Sequence, residues 1–398
     1  MNLIDLREFE FERDKIILFN ENEFIFGDTK CEEGICKRYF YKYNMKNKHI
    51  YKINEEGIET SEYASYNSCI LNDYIYTDSY KVQNSHVETL IYRISLIDGK
   101  IDKLYSISRD AGVIILSEEY ALLIGCDYGI DEEHSDVQKD IKGEYDYAIL
   151  CDLKYKREYG VKDKRVILGI WDYFIPYTVD RVRCIVFEEA YMEDWELEDE
   201  FEEGSKKEDF YRNGYRESIN IISLEKFVES IKNGYEMIPF SQIHKTELTA
   251  WTRYFGMDDG NIYYRTKDFI NKIEYIYSID KRTLEKKLLK SVNMHNSQTT
   301  DIWHDITNRK IYEKKIINDS IKQIKEIYDG DFIFEYSELK EEFNDLVGEY
   351  VLTSFWTEDD NGDNYKYFTK IRNIKSGMID IFEGICIVIK DNIVLFKG

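Results

Sequence analysis

Proline is almost missing from this chain, with Pro176 and Pro239 the only two in 398 residues. No Pro/Gly/Ser-rich stretch and no shift of composition marks a linker, so a single domain spanning 1–398 is expected, even at a length where one core usually divides. No apolar run reaches the roughly 18 residues needed to cross a bilayer. The opening segment MNLIDLREFEFERDK carries charge throughout and lacks the apolar core and small-residue cleavage site of a signal peptide. Basic charge is the minority sign: 54 Lys and Arg stand against 78 Asp and Glu, a net charge of -24. Such a field repels nucleic acid and anionic membranes, so a charged partner is expected to be basic.

Cysteine-based frameworks are also lacking. The count of seven is odd, and Cys69, Cys126, Cys151, Cys184 and Cys386 sit in apolar runs, where a thiol packs as a small hydrophobe and suits a reducing cytoplasm. Cys31 and Cys36 are the one close pair. Without a second pair they do not make a zinc motif, and two loop thiols are expected.

What the chain has in quantity is aromatic and β-branched residues, including 34 Tyr and 21 Phe, a mix suited to half-buried pleated surfaces. Residues 90–107, LIYRISLIDGKIDKLYSI, alternate on either side of Asp98-Gly99, which predicts a β-hairpin closed by a two-residue type I′ turn. Copies follow at 40–53, 147–161, 218–238, 275–289, 321–336 and 367–382. Positions matching Ser95 fall near 44, 152, 223, 280, 326 and 373. More apolar strand pairs precede the hairpins, as at 69–71 with 74–77, 113–116 with 122–126, and 248–254 with 262–265. Four antiparallel strands per roughly 50 residues, too few to bury both faces alone, is the logic of units packed between neighbours.

In this pattern the chain resembles bacterial β-propeller repeat proteins in general. It lacks the recurring Trp-Asp signature of WD-repeat proteins and the Gly-Gly pairs of kelch repeats, and the resemblance brings no catalytic residues with it. It implies an all-β, seven-bladed propeller of four-stranded antiparallel blades. The alternative is eight blades, the last a composite of 385–396 and the alternating segment 6–12. One helix is expected at 224–231, capped by Ser223 and ended by Asn233-Gly234.

Acid concentrates in the segments expected between second and third strands: 28–34, 127–146, 188–209 and 357–364. The third is an acidic insertion in which ten of the sixteen residues from 188 to 203 are Asp or Glu. Glu193, Asp194, Glu196, Glu198 and Asp199 alternate there with Trp195 and Phe201, so the segment suits a basic protein or peptide better than it suits a core. Asp359, Asn361 and Asp363 offer oxygens for calcium without the spacing of an EF-hand; otherwise no cofactor is implied. Trp171, Trp251 and Trp303 recur on inner strands. With Asp172, Arg253, His304 and Asp305 they would border a central channel able to hold a small ligand. His295, Asp301, His304 and Asp305 lack the spacing of a zinc motif. There is no phosphate loop, nucleophile elbow or His-Glu-x-x-His segment. A cytoplasmic, non-catalytic interaction scaffold is therefore the first reading, and an enzyme or small-ligand receptor using the channel the second.

Overall fold

The structure is a computed structural model. It describes all residues except 1, 11–16, 33–34, 61–67, 84–85, 110, 127–145, 168–173, 193–214, 246–249, 269–270, 294–300, 306–309, 319–320, 327–332, 338–340, 359–364, 390–391 and 398; at some strand positions it describes only the backbone.

Strands dominate, in sheets that follow the chain. The second sheet, built on the 90–107 hairpin, orders Ser68–Leu71, Tyr74–Gln83, His86–Ser95 and Ile101–Ile107 as successive antiparallel neighbours. The same meander recurs in the third (Gly112–Ile115 to Arg157–Gly160), fourth (Phe174–Val179 to Ser241–Lys245), fifth (Ala250–Met257 to Lys286–Asn293), sixth (Asp301–Asp305 to Ile333–Ser337) and seventh (Glu342–Val347 to Ile379–Glu383) sheets. The first sheet, from Ile17–Asn20 onward, has its outer strand broken into His49–Lys52 and Ile58–Thr60, both paired with Ile35–Asn44. Asn54 fills the break. Buried completely, it accepts from Phe40 N at 2.7 Å and donates to the Arg38 and Glu56 carbonyls, satisfying backbone groups that the outer strand leaves behind.

The repeat position matching Ser95 has a physical role. Asn44, Ser95, Asp152, Asp280 and Asn373 each accept a backbone N–H two or three residues ahead through their side-chain oxygen. Four residues on, Lys48, Gly99, Lys156, Leu284 and Gly377 all take positive φ, between 54° and 72°. The turn at 95–100 is therefore a four-residue loop in which Gly99 N donates to Ser95 O at 2.9 Å, and not the two-residue type I′ turn expected from Asp-Gly. A side-chain acceptor at the first position favours a helical first turn, which a two-residue loop does not contain. At the fourth copy the same position, Ser223, instead caps the helix Leu224–Lys232 through Lys226 N. The outer strand there is Ser241–Lys245, beyond the expected limit of 238. The helix buries Leu224, Phe227, Val228 and Ile231 and ends at Asn233, with Gly234 at φ +68°.

The chain forms two compact units, Tyr63–His295 and Met1–Glu62 with Asn296–Gly398. In each, cores lie between consecutive sheets, and strand alternation divides the side chains between them. Ala121 and Leu123 face the second sheet, with Tyr76 and Ile91, while Leu122 and Ile124 face the fourth, with Ile185 and Phe187. Cys184 and Val186 then join Ile262 and Tyr264 of the fifth sheet.

In the other unit the chain ends share a sheet. Asn2–Glu10 runs parallel to Asn392–Lys397, which pairs antiparallel with Ile385–Ile389. Ile393 and Leu395 pack toward the seventh sheet, and Val394 and Phe396 pack with Ile4, Leu6 and Phe9 toward the first. Gly384 permits this junction: its φ is +122°, and a Cβ there would lie 2.2 Å from the Phe396 carbonyl oxygen. Thr369 Oγ1 clamps the same link, donating to Gly384 O and accepting from Cys386 N.

Candidate functional site, the loop-bearing end of the second to fifth sheets

In a four-stranded meander the first and third turns lie at one end, and the connection between second and third strands lies at the other. The turn ends of consecutive sheets are tied together in the unit Tyr63–His295. Asn72 bonds Glu118, Arg183 Nε donates to Leu116 O at 2.9 Å, and Arg282 pairs with Asp180 at 3.0 Å. The connections 127–145 and 193–214 thus leave the third and fourth sheets from the opposite, shared end. They carry seven and ten acidic residues against two and three basic ones.

The strands carrying 193–214 are longer than expected. Val182–Met192 and Tyr215–Ser223 pair as far as Met192 opposite Tyr215, so Glu188 to Met192 belong to a strand and not to the insertion placed at 188–209. Glu188 is wholly buried. Its Oε1 accepts from Arg253 Nη1 at 2.6 Å and its Oε2 from Tyr254 N at 2.8 Å, which joins the fourth sheet to the fifth. Asp28 is likewise a buried strand residue, 2% exposed, and not part of a loop. Charge in sequence suggests solvent, but a carboxylate given both a cation and a backbone N–H tolerates burial.

Arg253 therefore has its guanidinium on Glu188. Trp251 stands opposite Lys267 in strand register, and Trp303, His304 and Asp305 stand opposite Tyr312, Ile311 and Lys310. Trp171, Asp172, all seven acidic-insertion candidates from Glu193 to Phe201, and Asp359, Asn361 and Asp363 lie outside the described residues. Among the described residues no group of three His, Cys, Asp or Glu is arranged for a metal ion, and no helix is long and apolar enough to cross a membrane.

The described thiols and one described imidazole are held away from neutral-pH chemistry. Burial pushes Cys69 and Cys151 up to about 12 and Cys386 to about 11. Burial, and then the charge of Lys286, lowers His244 to about 4. Lys286 can only donate, so at 3.2 Å it engages His244 Nδ1 as acceptor; Nε2 then carries the proton and faces Thr266 Oγ1 at 3.1 Å.

The sequence reading missed a groove of about 580 Å³ in the other unit, lined by Asp5, Arg7, Glu8 and Lys397 of the terminal sheet and Lys366, Tyr367, Glu383 and Gly384 of the seventh. Arg7 is forked onto Asp5 at 2.6 and 2.9 Å. Trp356, directly opposite Tyr367 in register, is 55% exposed. The alternation of charged and apolar residues at the chain start was the available signal, but its partner strand lies almost 390 positions away in the chain.

No family model matches the chain, and no curated protein matches it. Among solved structures, the β-propeller domain of the Trilobed protease from Pyrococcus furiosus is similar at 12% identity and TM-score 0.41, over 92% of this chain and 97% of that one. Dipeptidyl peptidase 4 from Porphyromonas gingivalis is similar at 8% and 0.47, over 95% of this chain and 55% of that one. A putative 6-phosphogluconolactonase from Bacteroides fragilis is similar at 9% and 0.39, over 96% and 97%. Likeness at this level shows neither a family nor an activity for this chain.

Proposed function

We propose that the eight sheets are blades of one β-propeller domain, seven complete and the eighth a composite of both chain ends, and that the protein is a non-catalytic binding scaffold. Its loop-bearing acidic end takes a basic protein or peptide, with Glu193, Asp194, Glu196, Glu198 and Asp199 supplying charge and Trp195 and Phe201 apolar contact. The observation that supports this reading most is the placement of two strongly acidic connections at one end of consecutive sheets whose other ends are bonded together. Clustered charge of one sign steers an oppositely charged partner and lowers its Kd most at low salt. The test is calorimetric titration of a lysine-rich peptide into the protein and into a variant with those five acids changed to Gln or Asn. The variant should bind roughly tenfold more weakly at low ionic strength with its Tm unchanged. Equal affinities would overturn the proposal.

A second reading, small-ligand binding, draws on the 580 Å³ groove between the seventh and terminal sheets, which lies in the usual size range for ligand sites. A channel bordered by Trp171, Asp172, Trp251, Arg253, Trp303, His304 and Asp305 belongs to the same reading. Calcium at Asp359, Asn361 and Asp363 remains part of the proposal for the loop-bearing end of the seventh sheet.

A further inference from the structure

Cys31 and Cys36, expected as separate loop thiols, are joined by a disulfide. The reason is register. They are directly opposite each other at the loop end of the hairpin Glu23–Glu32 and Ile35–Asn44, a placement that the sequence hides because the strands run on past the expected loop start at 28. The two sulfurs differ in surroundings. Cys31 lies on exposed strand, whereas Cys36 is 4% exposed and stands opposite Thr60 in the broken outer strand. Arg38, wholly buried, follows two residues after Cys36 on the same strand face. Cys69, Cys151, Cys184 and Cys386 are unbonded and buried or half-buried.

We propose that Cys31–Cys36 is a reversible thiol–disulfide exchange site for low-molecular-weight thiols and their disulfides, with Cys31 the attacked sulfur and Cys36 the leaving and resolving one. A thiolate needs a line of approach to the sulfur it attacks, which the exposed position of Cys31 supplies; a nearby cation favours departure of the other sulfur as thiolate, which Arg38 is placed to do. In reduction the incoming thiolate bonds to Cys31 Sγ, the Cys31–Cys36 bond breaks, and Cys36 leaves with the electron pair and takes a proton. A second thiol attacks the mixed disulfide at the external sulfur, releasing Cys31 as a thiol and the two small thiols as one disulfide. Two electrons and two protons pass to the protein, and oxidation by the small disulfide reverses each step. The bond closes the loop end of the first sheet, so its state sets how firmly that end is held.

The test uses the intact chain equilibrated, without denaturant, in buffers of graded reduced-to-oxidised glutathione ratio. After acid quench and alkylation, mass spectrometry of the peptide containing both cysteines gives the oxidised fraction. The expected result is one reversible transition, reached equally from the oxidised and reduced sides. In Cys36→Ser the glutathione adduct should collect on Cys31, with Cys69, Cys151, Cys184 and Cys386 unmodified. Reduction only after denaturation, a pair that stays reduced at every ratio, or adducts on the buried cysteines at the same rate would overturn the proposal. If Cys36→Ser fails to fold, as judged by its Tm against the parent, the buffer series on the parent chain decides alone.

Discussion

His244 is neutral in the folded protein because it is packed against the Tyr264 and Tyr277 rings and faced by Lys286 and Thr266. Its pKa falls from 6.5 to about 4. Between those values the unfolded chain holds a proton that the folded chain does not, so this residue's contribution is complete above pH 6.5 and is lost as pH falls toward 4. In His244→Asn that share of the pH dependence should vanish, and the Tm curves of the two proteins should converge as pH drops through the window. Parallel curves would show that His244 does not titrate as described. Glu188 calls for a different measurement. Removing its carboxylate strands Arg253 in a half-buried position, so Glu188→Ala should cost about 3 kcal/mol in urea unfolding. Both partners are legible in the sequence only as charged residues. They are 65 positions apart, and nothing in a single strand's pattern says which acid will find a cation on the next sheet.

Elements were far more legible. The hairpin repeat, the apolar pairs before it and the helix at 224–231 follow from alternation and capping, which are local, and local rules held where the turn type did not. Ser95 illustrates the difference: Asp-Gly invites a two-residue turn, but the Ser95 hydroxyl three residues before Asp98 bonds Ile97 N and Asp98 N and lengthens the loop. Since Ser223 holds the same repeat position as a helix cap, Ser223→Ala should cost about 1 kcal/mol by denaturant melting. Two of the positive-φ glycines near the chain's end, Gly377 and Gly384, separate conformation from contact. Gly377, at φ +72° with no atom within 4 Å of an added Cβ, should tolerate alanine at about 1 kcal/mol. Gly384, whose Cβ would strike Phe396 O, should lose about 3 kcal/mol or more on the same change. Equal losses at the two sites would show that the terminal sheet is not seated on the seventh as described.

At the scale of the whole molecule, the pairing of Asn2–Glu10 with Asn392–Lys397 ties the two chain ends into one sheet and two cores. Removing 385–398 takes away two of that sheet's three strands, so the Tm should fall well beyond what fourteen surface residues would cause, checked by circular dichroism. The acidic end is expected to behave in the opposite way. Met192 faces Tyr215 in register, so 193–214 can be replaced by Asn-Gly as a tight hairpin turn without touching Glu188 or any paired strand residue. The most direct test of the scaffold account measures Kd for a lysine-rich peptide across a salt series, with this deletion and the intact protein side by side. The account predicts an unchanged Tm, strong binding by the intact chain that weakens steeply toward physiological salt, and weaker binding with a shallower salt dependence by the deletion, which keeps the acidic connection 127–145. Identical salt curves for the two proteins would contradict it.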